Sequence, residues 1–228
     1  MGEEPRGDLD LAPLSASLHQ YGVLIGARRI RPGDEAAASH SMRAGAASLE
    51  RRRASGAARI VARRLLAELG WDADAPLMRD PSGAPVWPPG IVGSLAHDEE
   101  FAVAAAARAG RVVGLGVDVE PAELLPADLV NLVLLPVERK ETRDDGVRQR
   151  LIFACKEAVY KAVNPLDGSV LEYADIETRL QEGGARLRDG RRLHLAALAA
   201  GRLVAAALAF EGFAARCPPD AAARADPS

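Results

Sequence analysis

Lysine is nearly missing from this chain. Of its 29 basic residues only three are lysines, Lys140, Lys156 and Lys161. Arginine stands wherever positive charge alone is wanted, a bias that fits GC-rich coding, so each retained lysine invites a question. Cysteine is scarce as well. Cys155 and Cys217 cannot build a disulfide framework or a cysteine-rich metal site, and a reduced, cytoplasmic setting is expected. Aromatics reach only 4% and the net charge is -3, which argues against a nucleic-acid surface of basic and stacking residues. No apolar run approaches the roughly 20 residues of a membrane span. The acidic start, MGEEPRGDLD, lacks the apolar stretch of a secretory leader, and none is expected. What is present, 48% hydrophobic and 27% charged residues over 228 positions, suits a soluble chain that forms one large domain or two small ones.

The pattern of apolar residues predicts a short strand at Tyr21 to Ala27 and a helix from Ser48 to Gly70. That helix carries an apolar stripe of Ile60, Val61, Leu65, Leu66 and Leu69, with arginines over much of the rest. A loop rich in proline and glycine follows, from Arg79 to Ser94. Phe101 to Ala107 and Arg111 to Glu120 read as two strands joined by a tight turn at Ala109-Gly110. Short helices and loop are expected from Leu124 to Arg150. A helix from Leu151 to Val163 is closed by Asn164-Pro165, and a β-meander runs from Tyr173 to Phe210. Residues 1–20 read as a mobile lead-in and residues 217–228 as a disordered tail.

Three short segments carry candidate chemistry. In Gly116-Val117-Asp118-Val119-Glu120 the two acids share one face of a strand, roughly 6.6 Å apart along the backbone. Val117 and Val119 point the other way, into a core. Paired carboxylates at the end of an apolar strand suit a hard cation such as Mg²⁺, although two acids at a solvated strand end would read the same way. In Phe153-Ala154-Cys155-Lys156-Glu157-Ala158-Val159-Tyr160-Lys161, Glu157 and Lys161 are an i,i+4 pair beside Lys156. Alone they could be an ordinary surface ion pair. Gly93-Ser94-Leu95-Ala96-His97 offers a histidine after a turn of small residues, a signal with little weight by itself.

As an ordered set, these motifs resemble the 4′-phosphopantetheinyl transferases of the surfactin and enterobactin-synthetase type, particularly actinobacterial members. The family pattern is GSxxH, then G-[IV]-D-x-E, then [FW]-x-x-K-E-A-x-x-K. The likeness extends to the arginine-rich helix ending in ELG, the GAPVWPPG loop and the NPL after the last motif, over roughly residues 45 to 178. It implies an α+β fold made as a pseudo-dimer of two similar subdomains, each a small, mostly antiparallel sheet packed on a long helix. The expected division is 1–115 for coenzyme A phosphate contacts and 116–216 for the metal site and catalytic helix, before the tail at 217–228.

The resemblance also implies roles. Asp118, Glu120 and Glu157 would hold Mg²⁺ (or Mn²⁺), Glu157 would serve as base, and Lys161 would act on the pyrophosphate, with Lys156 a third catalytic position. Arg51, Arg59, Arg79 and His97 match positions that contact the phosphates of coenzyme A. The expected partners are apo carrier proteins or carrier domains of polyketide, non-ribosomal peptide or fatty acid synthases. The chain would act as a monomer, without nucleic acid or membrane. Two departures stand out: Ala96 replaces a family Ser or Thr, and Ser55-Gly56-Ala57-Ala58-Arg59 replaces an aromatic-x-x-Gly-Arg.

Three other functions compete with this one. The same acids could serve a Mg²⁺-dependent nucleotide or pyrophosphate hydrolase. The chain could bind coenzyme A or a carrier without turnover, or the arginine helix could bind nucleic acid. The intact acid set with both motif lysines argues against the second, and the charge and aromatic content against the third. The Leu-rich segment 124–135 with Arg139, Lys140, Arg143, Arg148 and Arg150 reads either as a surface for an acidic carrier helix or as ordinary core with a solvated face.

Overall fold

A computed structural model of the chain describes residues 9–39, 47–72, 77–80 and 84–213. Within them lie two antiparallel sheets, each with a long helix on its outer face. The first sheet joins β1 (Val23–Arg29), β5 (Phe101–Arg108) and β4 (Ile91–His97) in the order β1-β5-β4. The second joins β6 (Val112–Pro121) to β7 (Ile176–Arg179), β8 (Gly184–Leu187), β9 (Arg192–Ala200) and β10 (Arg202–Phe210), in the order β6-β10-β9-β8-β7. Strands β2 (Met78–Arg79) and β3 (Pro85–Val86) form a separate small ribbon. The helices are α1 (Ala12–His19), α2 (Leu49–Glu68), α3 (Ala127–Val133), α4 (Pro136–Glu141) and α5 (Gly146–Asp167).

Period-2 alternation makes this a stack of four layers, helix, sheet, sheet and helix. On β5, Ala104 and Ala106 face α2 with Val61, Ala62, Leu65 and Leu66. The alternate residues Val103, Ala105 and Ala107 join Val117, Val119, Val204, Ala206 and Leu208 between the sheets. On β10, Ala205, Ala207 and Ala209 turn outward to Ala154, Ala158 and Val159 of α5. The expected meander is the β7–β10 run. The expected hairpin of β5 with β6 is not formed: the turn at Ala109-Gly110 carries the chain from one sheet to the other, and each strand pairs within its own sheet.

Three boundaries also differ. The lead-in is ordered from Leu9 onward: α1 buries Leu14 and Leu18 in the core between the sheets. Residues 1–8 and the tail lie outside the described residues. Helix α5 runs past Asn164-Pro165 to Asp167 and ends at Gly168 with φ +71. Proline there removes only the N–H that would reach the Lys161 carbonyl, a loss tolerated in a last turn, and the glycine supplies the left-handed stop. Finally, Gly93–His97 lies on strand β4 and not in a turn.

Candidate active site

Gly116 explains how the two halves of the acidic site meet. A Cβ on Gly116 would lie 1.9 Å from the carbonyl oxygen of Ala158, and one on Gly114 would lie 2.5 Å from that of Ala162. Only glycine lets α5 approach β6 this closely. The contact sets Glu157 and Lys161 of the helix beside Asp118, the next residue but one along the same strand face. Lys161 Nζ donates to Asp118 Oδ1 at 2.6 Å and to the Val117 carbonyl at 3.3 Å.

Each acid has its own partner. Asp118 is paired with Lys161, Arg150 NH1 lies 3.3 Å from Glu120 Oε2, and the Tyr173 hydroxyl donates to Glu157 Oε1 at 2.7 Å. Among the described residues no group of three or more such side chains is drawn together tightly enough to hold a metal ion as it stands. Yet Asp118 Oδ2 is buried with no hydrogen-bond partner, an acceptor whose burial costs free energy unless something fills its lone pairs. Burial, together with the neighbouring Glu157 and against the pull of Lys161, pushes the Asp118 pKa up to about 6. Burial and then Asp118 push Glu120 up to about 7, against Arg150. Two carboxyls this reluctant to ionise side by side, one with an orphaned oxygen, suit a hard divalent cation.

The basic residues gather elsewhere on the same cleft. Arg51, Arg59, Arg79 and His97 line a cavity of about 170 Å³ with Ser55, Ala58, Pro85 and Leu95, and among the described residues no carboxylate lines it. Ser48 caps α2 by accepting from the Arg51 N–H at 3.2 Å. Two turns on, Arg59 is buried, and its guanidinium donates to Ser55 Oγ at 2.6 Å and to the carbonyls of Ser55 and Leu77. Burial, then Arg79 and Arg63, lowers its pKa to about 10. Cations crowded this way form a site that suits an anion. His97 keeps an open face, yet loss of hydration and then Lys161 hold its pKa below the ordinary value, with Asp98 pulling the other way. His97 and Arg51 also line a cleft of about 840 Å³ that reaches Glu120, Arg150 and Arg202. One opening thus joins the basic cavity to Glu120, the outer of the two strand acids.

The rest of the Gly93–His97 segment is structural. A Cβ on Gly93 would meet the Trp87 ring at 2.5 Å, so this glycine seats the tryptophan of the GAPVWPPG loop. Ser94 Oγ accepts from the Val117 N–H at 3.1 Å and ties the two sheets together. Ala96 is buried in the core between the sheets, so a hydroxyl at that position would sit in the core and not in the cavity.

Lys156 is a correction. It was expected at the reacting centre, but its side chain is fully buried. Its ammonium donates to the Val133 carbonyl at 2.8 Å and the Tyr173 carbonyl at 3.1 Å, and lies 2.7 Å from Glu138 Oε2. An ammonium has three protons, and all three are committed. Glu138 is equally full, since it accepts from the Leu135 N–H and from the N–H and hydroxyl of Thr178. This buried pair fastens α3, α4, the Tyr173 turn and β7 to helix α5. The sequence held no sign of Glu138 as its partner or of Tyr173 on Glu157, because both contacts come from segments outside the motifs.

Two family models match the chain: the 4′-phosphopantetheinyl transferase N-terminal domain over residues 39–107, and the 4′-phosphopantetheinyl transferase superfamily over residues 114–207. The chain belongs to the 4′-phosphopantetheinyl transferase superfamily. Among curated members of that superfamily, the transferase Svp of Streptomyces mobaraensis is 41% identical over 52% of this chain and 50% of its own length. Npt of Nocardia iowensis is 40% identical over 62% of this chain and 65% of its own. PptT of Mycobacterium tuberculosis is 36% identical over 44% and 46%. The matches thus span about half to two thirds of these relatives. A solved holo-[acyl-carrier-protein] synthase from Thermotoga maritima is 25% identical over 42% of this chain and 62% of its own, but its TM-score of 0.35 is too low to add to the argument.

Proposed function

We propose that this superfamily member is a Mg²⁺-dependent transferase that moves the 4′-phosphopantetheine arm of coenzyme A to a serine of an apo carrier protein. One observation carries the reading: a cavity lined by three arginines and His97 shares Arg51 and His97 with a cleft that reaches Glu120, which stands on the same strand face as Asp118 and its orphaned buried oxygen. A ligand that satisfies both ends must bring phosphates to the arginines and a cation to the carboxylates. Coenzyme A with its pyrophosphate-bound metal does both. The division near residue 115 is proposed on sheet membership, since β5 ends the first sheet at Arg108 and β6 opens the second at Val112.

In this mechanism Arg51, Arg59, Arg79 and His97 hold the phosphates remote from the reaction. Asp118, Glu120 and Glu157 would hold Mg²⁺, which when bound neutralises the pyrophosphate under attack. Glu157 takes the proton of the carrier serine, whose oxygen forms a bond to the phosphorus bearing the pantetheine arm. The bond from that phosphorus to the bridging oxygen breaks, and adenosine 3′,5′-bisphosphate leaves. Lys161 faces the charge that builds on the departing oxygen. The reading assigns the chain a cytoplasmic place and a monomeric state, as the resemblance implies; among the described residues no helix is long and apolar enough to cross a membrane.

The test is incubation with coenzyme A, Mg²⁺ and apo carriers of the acyl, peptidyl and aryl kinds, followed by intact-protein mass spectrometry. A gain of one phosphopantetheinyl group that EDTA abolishes is expected. Coenzyme A consumed without carrier modification would point to hydrolysis.

A further inference from the structure

Glu157 lies on the open side of α5, half-buried, and a carboxylate there could turn toward the cleft or away from it. The residue that limits this freedom is Tyr173. It opens the short 3-10 turn Tyr173–Asp175 after α5, and its ring packs on Phe153 one turn before Glu157, with centroids 5.8 Å apart. Its hydroxyl donates to Glu157 Oε1 at 2.7 Å, while its carbonyl accepts from Lys156 Nζ at 3.1 Å. Tyr173 therefore grips two consecutive residues of the helix from opposite ends. The Lys156 grip is fixed in turn by Glu138, whose four acceptor contacts leave it no alternative geometry.

We propose that Tyr173 is a positioning residue. It holds one oxygen of Glu157 so that the other is left for the cation beside Asp118, and the buried Lys156–Glu138 pair holds Tyr173. The inference rests on the reading of Glu157 as a cation ligand. A donor fixing the second oxygen of a ligating carboxylate sets its orientation, and losing such a partner commonly weakens metal binding by about 10- to 100-fold. This also gives Lys156 a use that requires no contact with substrate.

The test is Mn²⁺ binding by the full chain with coenzyme A present, followed by the paramagnetic signal of the free ion. Tyr173→Phe keeps the ring on Phe153 and removes only the hydroxyl. Its Mn²⁺ dissociation constant should rise by about tenfold or more, with the urea unfolding midpoint of the metal-free protein little changed. Glu157→Gln should weaken binding further. In the Glu157→Gln background, Tyr173→Phe should then have almost no additional effect, because the two act as one unit. Wild-type Mn²⁺ affinity in Tyr173→Phe, or an equal loss in both backgrounds, overturns the positioning role, whatever happens to the unfolding midpoint. Wild-type affinity in Glu157→Gln itself would instead overturn the metal reading on which the proposal stands.

Discussion

The two long helices handle charge in opposite ways. Helix α2 and the strands beside it gather Arg51, Arg59, Arg79 and His97 around a cavity that no carboxylate lines among the described residues, and the buried Arg59 donates to the neutral oxygens of Ser55 and Leu77. Strand β6 and helix α5 present acids that are already answered, Asp118 by Lys161, Glu120 by Arg150 and Glu157 by Tyr173. The first region awaits an anion. The second has internal stand-ins that a stronger cation would have to displace. Even the glycines that let the helices approach are placed differently. Gly56 lies in α2 and meets the Asp34 carbonyl, whereas Gly116 lies in β6 and meets that of Ala158. The two halves share a layer pattern but not a charge logic, and binding and chemistry can be tested separately.

The sharpest break is on the acidic side. Asp118→Asn keeps the shape of the residue and removes the charge beside Lys161. If the acids hold the cation, kcat for carrier modification should fall by about a thousandfold or more, in keeping with several kcal/mol of charge stabilisation. Binding of 3′,5′-ADP at the basic cavity, measured by calorimetry without metal, should persist. A variant that transfers at the wild-type rate would show that the acids are only paired, as they stand in the structure.

Next in size is Lys156. Lys156→Met would leave Glu138 buried with an uncompensated charge, which costs about 3–5 kcal/mol where one partner of a buried pair is removed. The check is the urea midpoint, with an expected fall shared by every probe of folding. A stable Lys156→Met protein with slow turnover would return this lysine to the chemistry.

These two residues also show what was legible beforehand. The face shared by Asp118 and Glu120, with Val117 and Val119 in the core, followed from the two-residue period of a strand. The long helices followed from their apolar stripes, and the meander from glycine punctuation. Less legible was anything set by partners distant in the chain. Lys156 and Lys161 look alike in the motif, yet one lies under α3 and α4 and the other faces Asp118, because five residues along a helix turn the side chain well over a full turn. Likewise the motif gives no sign that Ser94 bonds Val117 across the sheets, or that β5 and β6 part company at Gly110.

Lys161 tests the finer point of whether charge alone suffices at the acids. Lys161→Arg preserves the charge but replaces a compact ammonium, 2.6 Å from Asp118, with a wider group that is a poor acid. A loss in kcat of about tenfold is expected, on the scale of a displaced proton donor, with KM for the carrier little altered. Lys140→Arg is the surface control and should be silent. Full activity in Lys161→Arg would reduce its role to electrostatic balance.

The smallest effect belongs to His97, which together with Arg51 lines both the basic cavity and the larger cleft. Partial loss of hydration and then the charge of Lys161 hold its pKa below the ordinary value of 6.5, so the free protein carries it neutral at pH 7. A bound 3′-phosphate would reverse part of that balance, since a negative charge beside the ring favours the protonated form. Binding coenzyme A between pH 6 and 7 should therefore take up protons at this site, seen as a dependence of the calorimetric heat on the ionisation enthalpy of the buffer. The sign is fixed: the bound state holds more protons, so affinity rises as pH falls through this window. His97→Ala should lose that uptake and raise KM for coenzyme A by about tenfold, the low end of the scale for one hydrogen bond to a charged group, while leaving 3′-dephospho-coenzyme A nearly unaffected. Equal losses with both substrates would make His97 a wall of the cleft and leave the phosphate to the arginines.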